Sequence, residues 1–128
     1  MHTIFTLLVL LQIKHWYIDF VNQTPEEVKY KGVFLDIRGI KHSFKQGLGT
    51  FVALCIWLIL MDGTIGKYLP YIFILSFADF VLHYHIDWTK MNYGNRDITT
   101  PAFWNHLGLD QMAHQFCYLG IAFLSIPG

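Results

Sequence analysis

Histidine and aspartate recur at one separation in this chain. His15/Asp19, Asp79/His83, His83/Asp87, His106/Asp110 and Asp110/His114 are all four residues apart. Seven His and seven Asp scattered over 128 positions would give about 0.8 such pairs. Residues three or four apart share one helix face. Gln12, His15, Asp19 and Gln23 form one polar stripe, Asp79, His83, Asp87 and Lys90 a second, and His106, Asp110 and His114 a third. Imidazole and carboxylate at this spacing are metal-ligand chemistry, the spacing of a His-x-x-x-His zinc helix.

The elements that carry these stripes are strongly apolar. Hydrophobic types make up 54% of the chain and charged types 14%, against about 25% charged in a soluble domain. Residues 46–61, 68–78 and 111–128 contain no formal charge. A helix needs about 20 mainly apolar residues to cross a bilayer. The sequence predicts an all-α, four-transmembrane-helix antiparallel bundle in one domain, 1–128. Its spans lie near 4–23, 43–62, 67–89 and 102–125. The first reads as a span rather than a cleavable signal peptide, because no Lys or Arg precedes it and no small-x-small cleavage pattern follows. Thr24-Pro25-Glu26-Glu27 reads as an N-cap, a Pro at the first helical position and a capping-box Glu, starting a short helix at about 25–31. Residues 33–42 are expected at the membrane interface. Asp62-Gly63-Thr64 is expected to turn tightly, and Thr100 before Pro101 to cap the last helix. Lys29, Lys31, Arg38, Lys41, Lys45, Lys90 and Arg96 fall on one side and only Lys67 on the other. The positive-inside rule then puts both long loops in the cytoplasm and both termini outside, periplasmic in a bacterial inner membrane.

A charged Asp at the centre of a membrane helix costs roughly 2.5–3.5 kcal/mol. Asp19, Asp79, Asp87 and Asp110 together would cost on the order of 10 kcal/mol if unpaired, so they must face the bundle interior. Alternating span direction brings His15, Asp19, His42, His83, Asp87, Asp110 and His114 to one depth near the cytoplasmic face. Bundles build metal sites in this way. The mixed donor set suits a divalent transition metal, Zn first, with Mn or Fe also accommodated. Seven donors leave room for one or two ions. Asp79, Lys90, Gln111 and Gln23 are expected as supporting partners, Asp79 by orienting His83. His85 points away from its stripe, and His106 either caps the site from outside or sits at the surface. The four Trp fit interfacial and core packing. Cys55 and Cys117 read as buried small apolar residues.

Three segments carry a family resemblance. His15-Trp16-Tyr17-Ile18-Asp19-Phe20 with Gln23-Thr24, then His83-Tyr84-His85-Ile86-Asp87-Trp88-Thr89-Lys90, then Asp110-Gln111-Met112-Ala113-His114 resemble the ordered motifs of domain of unknown function 3307. That family comprises small bacterial and phage integral membrane proteins without an established activity. The resemblance implies the architecture more than a function. Arg38-Gly39-Ile40-Lys41-His42-Ser43 is similar to the Arg-Gly-x-x-His-Ser segment of small inner-membrane proteins classed as metal-dependent hydrolases, with Ile37 standing where those often have another His.

Two functions follow as expectations. One is a metal-binding membrane protein acting as a metal-dependent hydrolase at the cytoplasmic interface, with Asp19, Asp87 and Asp110 as candidate catalytic carboxylates. The other is a non-enzymatic structural or interaction protein, whose buried His/Asp network holds the bundle while its loops meet a protein partner. An ion path is less consistent with the nearly apolar residues 4–11. The lipid bilayer is the expected partner in either case. With nine basic and nine acidic residues, no basic excess exists to bind nucleic acid.

Overall fold

The computed structural model describes residues 2–61 and 63–125, and all regular structure among them is helical. Helix α1 (His2–Trp16) continues into a π-helical turn, Tyr17–Val21. The short α2 (Pro25–Tyr30) leads into three long helices: α3 (Ile37–Leu60), α4 (Ile65–Tyr93) and α5 (Pro101–Ser125). Helix α1 packs against α3 and α5, and α4 packs against the same two.

Local chemistry sets the boundaries. The Thr24 hydroxyl accepts from the Glu27 N–H, and the Glu27 carboxylate accepts from the Thr24 N–H. This reciprocal box, with Pro25 behind it, starts α2. Asp36 caps α3 by accepting from the Arg38 N–H at 2.9 Å. From Ile37 onward the chain forms the first turns of α3, which places His42 inside the helix. The Thr100 hydroxyl accepts from the Phe103 N–H at the start of α5. Of the expected turn after α3, Gly63 donates to the Leu58 carbonyl, while Asp62 lies outside the described residues. The first span is closed by the π turn, two residues short of Gln23, which donates to the Asp19 carbonyl at 2.9 Å.

Three segments are long and apolar enough to cross a membrane: Thr3–Val21, Ile37–Leu60 and Ile65–Tyr93. Helix α5 is also long enough, at 25 residues, but Asp110, Gln111, His114 and Gln115 interrupt its apolar run. The distribution of side chains is inverted relative to a soluble protein. Phe73, Ile74, Phe77, Phe116 and Phe123 are exposed, whereas fifteen polar or charged side chains, Lys14 and Asp79 among them, are buried. Lipid-facing surfaces tolerate the former and penalise the latter.

The interior divides along the helix axes. Leu7, Leu11, Leu54, Trp57, Leu75, Tyr118 and Ile121 form an apolar half. They come from the N-terminal parts of α1 and α4 and the C-terminal parts of α3 and α5. The opposite parts of the same helices supply the polar half. Glycine permits two close approaches there. A Cβ on Gly47 would lie 2.8 Å from Phe80 Cβ and 3.0 Å from the Ser76 carbonyl, so α3 and α4 meet closely at this point. A Cβ on Gly39 would lie 3.0 Å from Lys31 Cα. This contact seats the end of α2 on α3 and turns Lys31 inward.

Candidate metal centre

The polar half holds a buried cluster drawn from the π turn and the three long helices. Asp19 comes from the π turn, His42 from α3, His83 and Asp87 from α4, and Asp110 and His114 from α5. His42 and His83 are 0% exposed, and Asp87 and His114 are 1% exposed. The π turn adds one residue to the helical circuit, and Asp19 then uses both oxygens. Its Oδ2 lies 3.4 Å from His15 Nε2, while Oδ1 lies 3.0 Å from His42 Nε2 and 3.5 Å from His83 Nε2. Asp87 Oδ2 stands 3.4 Å from each of His42 Nε2 and His83 Nε2. Its Oδ1 stands 3.5 Å from His114 Nε2, which is also 3.5 Å from Asp110 Oδ1.

These contacts are close but are not hydrogen bonds. Both nitrogens of His42 and of His83, His114 Nε2, both oxygens of Asp87 and Asp110 Oδ1 are buried without a hydrogen-bond partner. Buried polar atoms are rarely left so, and each costs on the order of 1–3 kcal/mol. The separations have another meaning. Donors held about 2.0–2.1 Å from a tetrahedral ion lie roughly 3.3–3.4 Å from one another. Asp19 Oδ1, His42 Nε2, His83 Nε2 and Asp87 Oδ2 approach one another at 3.0–3.5 Å along four edges. Two groups, Asp19/His42/His83 and His83/Asp87/His114, could each hold a metal ion. They share His83.

Lysines accompany the buried acids. Lys14 pairs with Asp79 at 2.8 Å, Lys31 with Asp87 at 3.2 Å, Lys45 with Glu27 at 2.9 Å and Lys90 with Asp110 at 2.9 Å. Of the five buried acids among the described residues, Asp19 alone has no lysine ion pair. It takes instead a hydrogen bond from Gln46 at 2.7 Å. With neutral imidazoles the cluster carries one surplus negative charge. His83 and His114 stack with centroids 4.1 Å apart, and two imidazolium rings at that distance would repel. One divalent ion would turn that surplus into a single positive charge without charging either ring, and a second would raise it to three.

Other expected residues take different positions. His15 joins the cluster, but Nε2 contacts the Gln111 side-chain oxygen at 2.8 Å and Nδ1 contacts the Tyr118 hydroxyl at 2.8 Å. It is held as a hydrogen-bonded neighbour. Gln111 also donates to Asp110 at 3.1 Å. Gln23 accepts from Lys31 at 3.0 Å, and Gln12 donates to Gln115. Asp79 does not orient His83. Its Oδ2 accepts from Lys14 at 2.8 Å and Thr50 at 2.6 Å, deeper in the bundle. His85 turns back to the Val81 carbonyl, and His106 accepts from the Asn95 N–H at 2.8 Å, both outside the cluster.

Sequence reasoning missed Gln46, Thr50, Lys31, Glu27 and Tyr118 as participants. His42, Gln46 and Thr50 are themselves spaced by four, a signal equal in kind to the stripes on the other helices. Glu27 and Lys31 are also four apart. Glu27 Oε2 stands 3.8 Å from His42 Nδ1. Burial raises the Glu27 carboxyl, but hydrogen bonds from Lys45 and the Thr24 N–H outweigh it and hold it below the usual glutamate range.

No protein-family model, curated protein or solved structure matches this chain. The functional reading therefore rests on the chemistry of the cluster.

Proposed function

We propose that the chain is an integral membrane protein that binds one divalent transition metal ion through Asp19, His42, His83 and Asp87. The carrying observation is the convergence of buried Nε2 and carboxylate atoms at ligand-to-ligand distances, with both nitrogens of His42 and of His83 and both oxygens of Asp87 lacking a hydrogen bond. Two imidazoles and two carboxylates suit zinc, with manganese or iron as chemically acceptable occupants. All four long helices cross the bilayer as an antiparallel bundle. Helix α5 crosses because its one formal charge, Asp110, is buried against Lys90 rather than presented to lipid. By the positive-inside rule, the basic residues of the two long loops favour the cytoplasmic side of a bacterial inner membrane for the cluster.

Four protein donors would fill the coordination shell of a structural ion that locks the helices together. The unpartnered His114 Nε2 and Asp110 Oδ1 beside that shell favour a second reading, a metal-dependent hydrolase. A bound ion would supply Lewis acidity and an acidified water. Asp110 would accept the proton, His114 would orient it, and Lys90 would hold the carboxylate in place through its 2.9 Å contact.

Elemental analysis of protein purified in detergent without chelators tests the proposal. About one equivalent of transition metal is expected in the wild type and in His15→Ala, whose ring is held by Gln111 and Tyr118. His83→Ala and Asp87→Asn should lose it. Metal-free wild type, or His83→Ala that keeps its ion, would overturn the reading. Chelation that lowers the unfolding temperature without abolishing any esterase or phosphoesterase activity would select the structural role.

A further inference from the structure

The α4–α5 cleft lies outside the metal cluster and meets it only at Asp110. It encloses about 390 Å³. Its two ends differ in chemistry. Leu82, Ile86 and Lys90 follow one another at intervals of four on α4 and line it, facing Leu109 and His106 of α5. The cleft is thus apolar at Leu82 and polar at the Lys90–Asp110 pair, near the end of α4 at Tyr93. Eight residues of helix make the track about 12 Å long, the length of roughly ten methylenes in an extended chain.

The polar end is a donor site. An ammonium has three N–H donors, and the hydrogen bond of Lys90 goes to Asp110. His106 Nδ1 accepts from the Asn95 N–H, which leaves Nε2 as the ring's donor. Asp110 is the only acid lining the cleft. Its Oδ2 is taken by Lys90 and Gln111, and its Oδ1 turns to His114.

We infer that the cleft between α4 and α5 binds a phosphate-bearing diacyl lipid, with its phosphate at Lys90 and His106 and one acyl chain along Leu82, Ile86 and Leu109. Phosphate oxygens are acceptors for the N–H donors of Lys90 beyond the one given to Asp110. The inference rests on the proposed membrane reading, in which the apolar track would run from the interface into the bilayer, where acyl chains lie; it does not depend on the metal ion.

Native mass spectrometry of the full chain, released from detergent and titrated separately with phosphatidylglycerol, diacylglycerol and inorganic phosphate, tests it. Phosphatidylglycerol should add to the wild type with one saturable equivalent. Lys90→Gln should weaken that adduct about fivefold to tenfold, the loss of one charge-assisted contact at a partly exposed site. Leu109→Trp, which fills the track but leaves Lys90 in place, should abolish it, with circular dichroism and unfolding temperature confirming that the variant folds. Diacylglycerol binding as well as phosphatidylglycerol would overturn the phosphate assignment. Inorganic phosphate binding that survives Leu109→Trp would reduce the site to a free-anion site and overturn the lipid. Equal phosphatidylglycerol binding by all three proteins would place the lipid elsewhere and overturn the cleft itself.

Discussion

The buried pair Lys14–Asp79 offers a quantitative test of how this chain keeps ions inside its helical bundle. Lys14 Nζ and Asp79 Oδ2 are 2.8 Å apart, with side chains 9% and 2% exposed. At an effective dielectric constant of about 20, their attraction is about 6 kcal/mol at this distance. Desolvation of the two groups consumes much of that, so the net worth of the pair is small. Removing one partner is different, because the other remains buried and charged. Lys14→Met should cost about 3–5 kcal/mol. The Asp79 carboxylate would then keep only the Thr50 hydroxyl. Asp79→Leu should cost a similar amount, leaving Lys14 with Gln46. The double variant Lys14→Met/Asp79→Leu should return to within about 1–2 kcal/mol of the wild type, because no unpaired charge remains. Reversible unfolding in mixed micelles, followed by circular dichroism, measures the cycle. Single-variant losses that simply add in the double variant would refute the reasoning, since additive losses mean the two groups are not coupled.

Three further outcomes follow from contacts around the site. Gly47→Val should destabilise the α3–α4 contact by about 1–3 kcal/mol through overpacking against Phe80 and the Ser76 carbonyl; an unchanged unfolding temperature would contradict that close approach. Tyr118→Phe removes the hydroxyl that contacts His15 Nδ1 and should cost about 1 kcal/mol while metal content stays the same, as read by unfolding and elemental analysis together. Glu27 titrates below the usual value in the folded protein, so its stabilisation is present above the ordinary glutamate pKa and fades as pH falls toward the lowered native one. The unfolding-temperature gap between wild type and Glu27→Gln should therefore shrink as pH drops from neutrality to below about 4; a gap independent of pH would contradict the contribution of that carboxylate.

Much of the architecture is written in short-range patterns. The capping box at Thr24 and Glu27 and the stop–start signal at Thr100-Pro101 place helix ends, because these bonds span only three residues. The four-residue spacing of His15/Asp19, His83/Asp87 and Asp110/His114 shows that each pair shares a face. It does not show which group on another helix each one meets. Asp79 sits one turn from His83, yet Lys14 of α1 claims it. His15 has the same side-chain chemistry as His42, yet Gln111 and Tyr118 occupy both its nitrogens. The π turn that redirects Asp19 has no spacing signature of its own. Lys31 reads as a loop cation until Gly39 lets the end of α2 approach α3 and sends the side chain to Asp87.

The most direct test of the proposed centre is X-ray absorption at the metal edge of chelator-free protein. A first shell of four nitrogen and oxygen atoms at about 2.0–2.1 Å, with outer-shell scattering from two imidazole rings, is expected. In Asp19→Asn the shell should change while the protein stays folded. A shell containing sulfur at about 2.3 Å, or one with no imidazole scattering, would place the ion away from Asp19, His42, His83 and Asp87 and contradict the account.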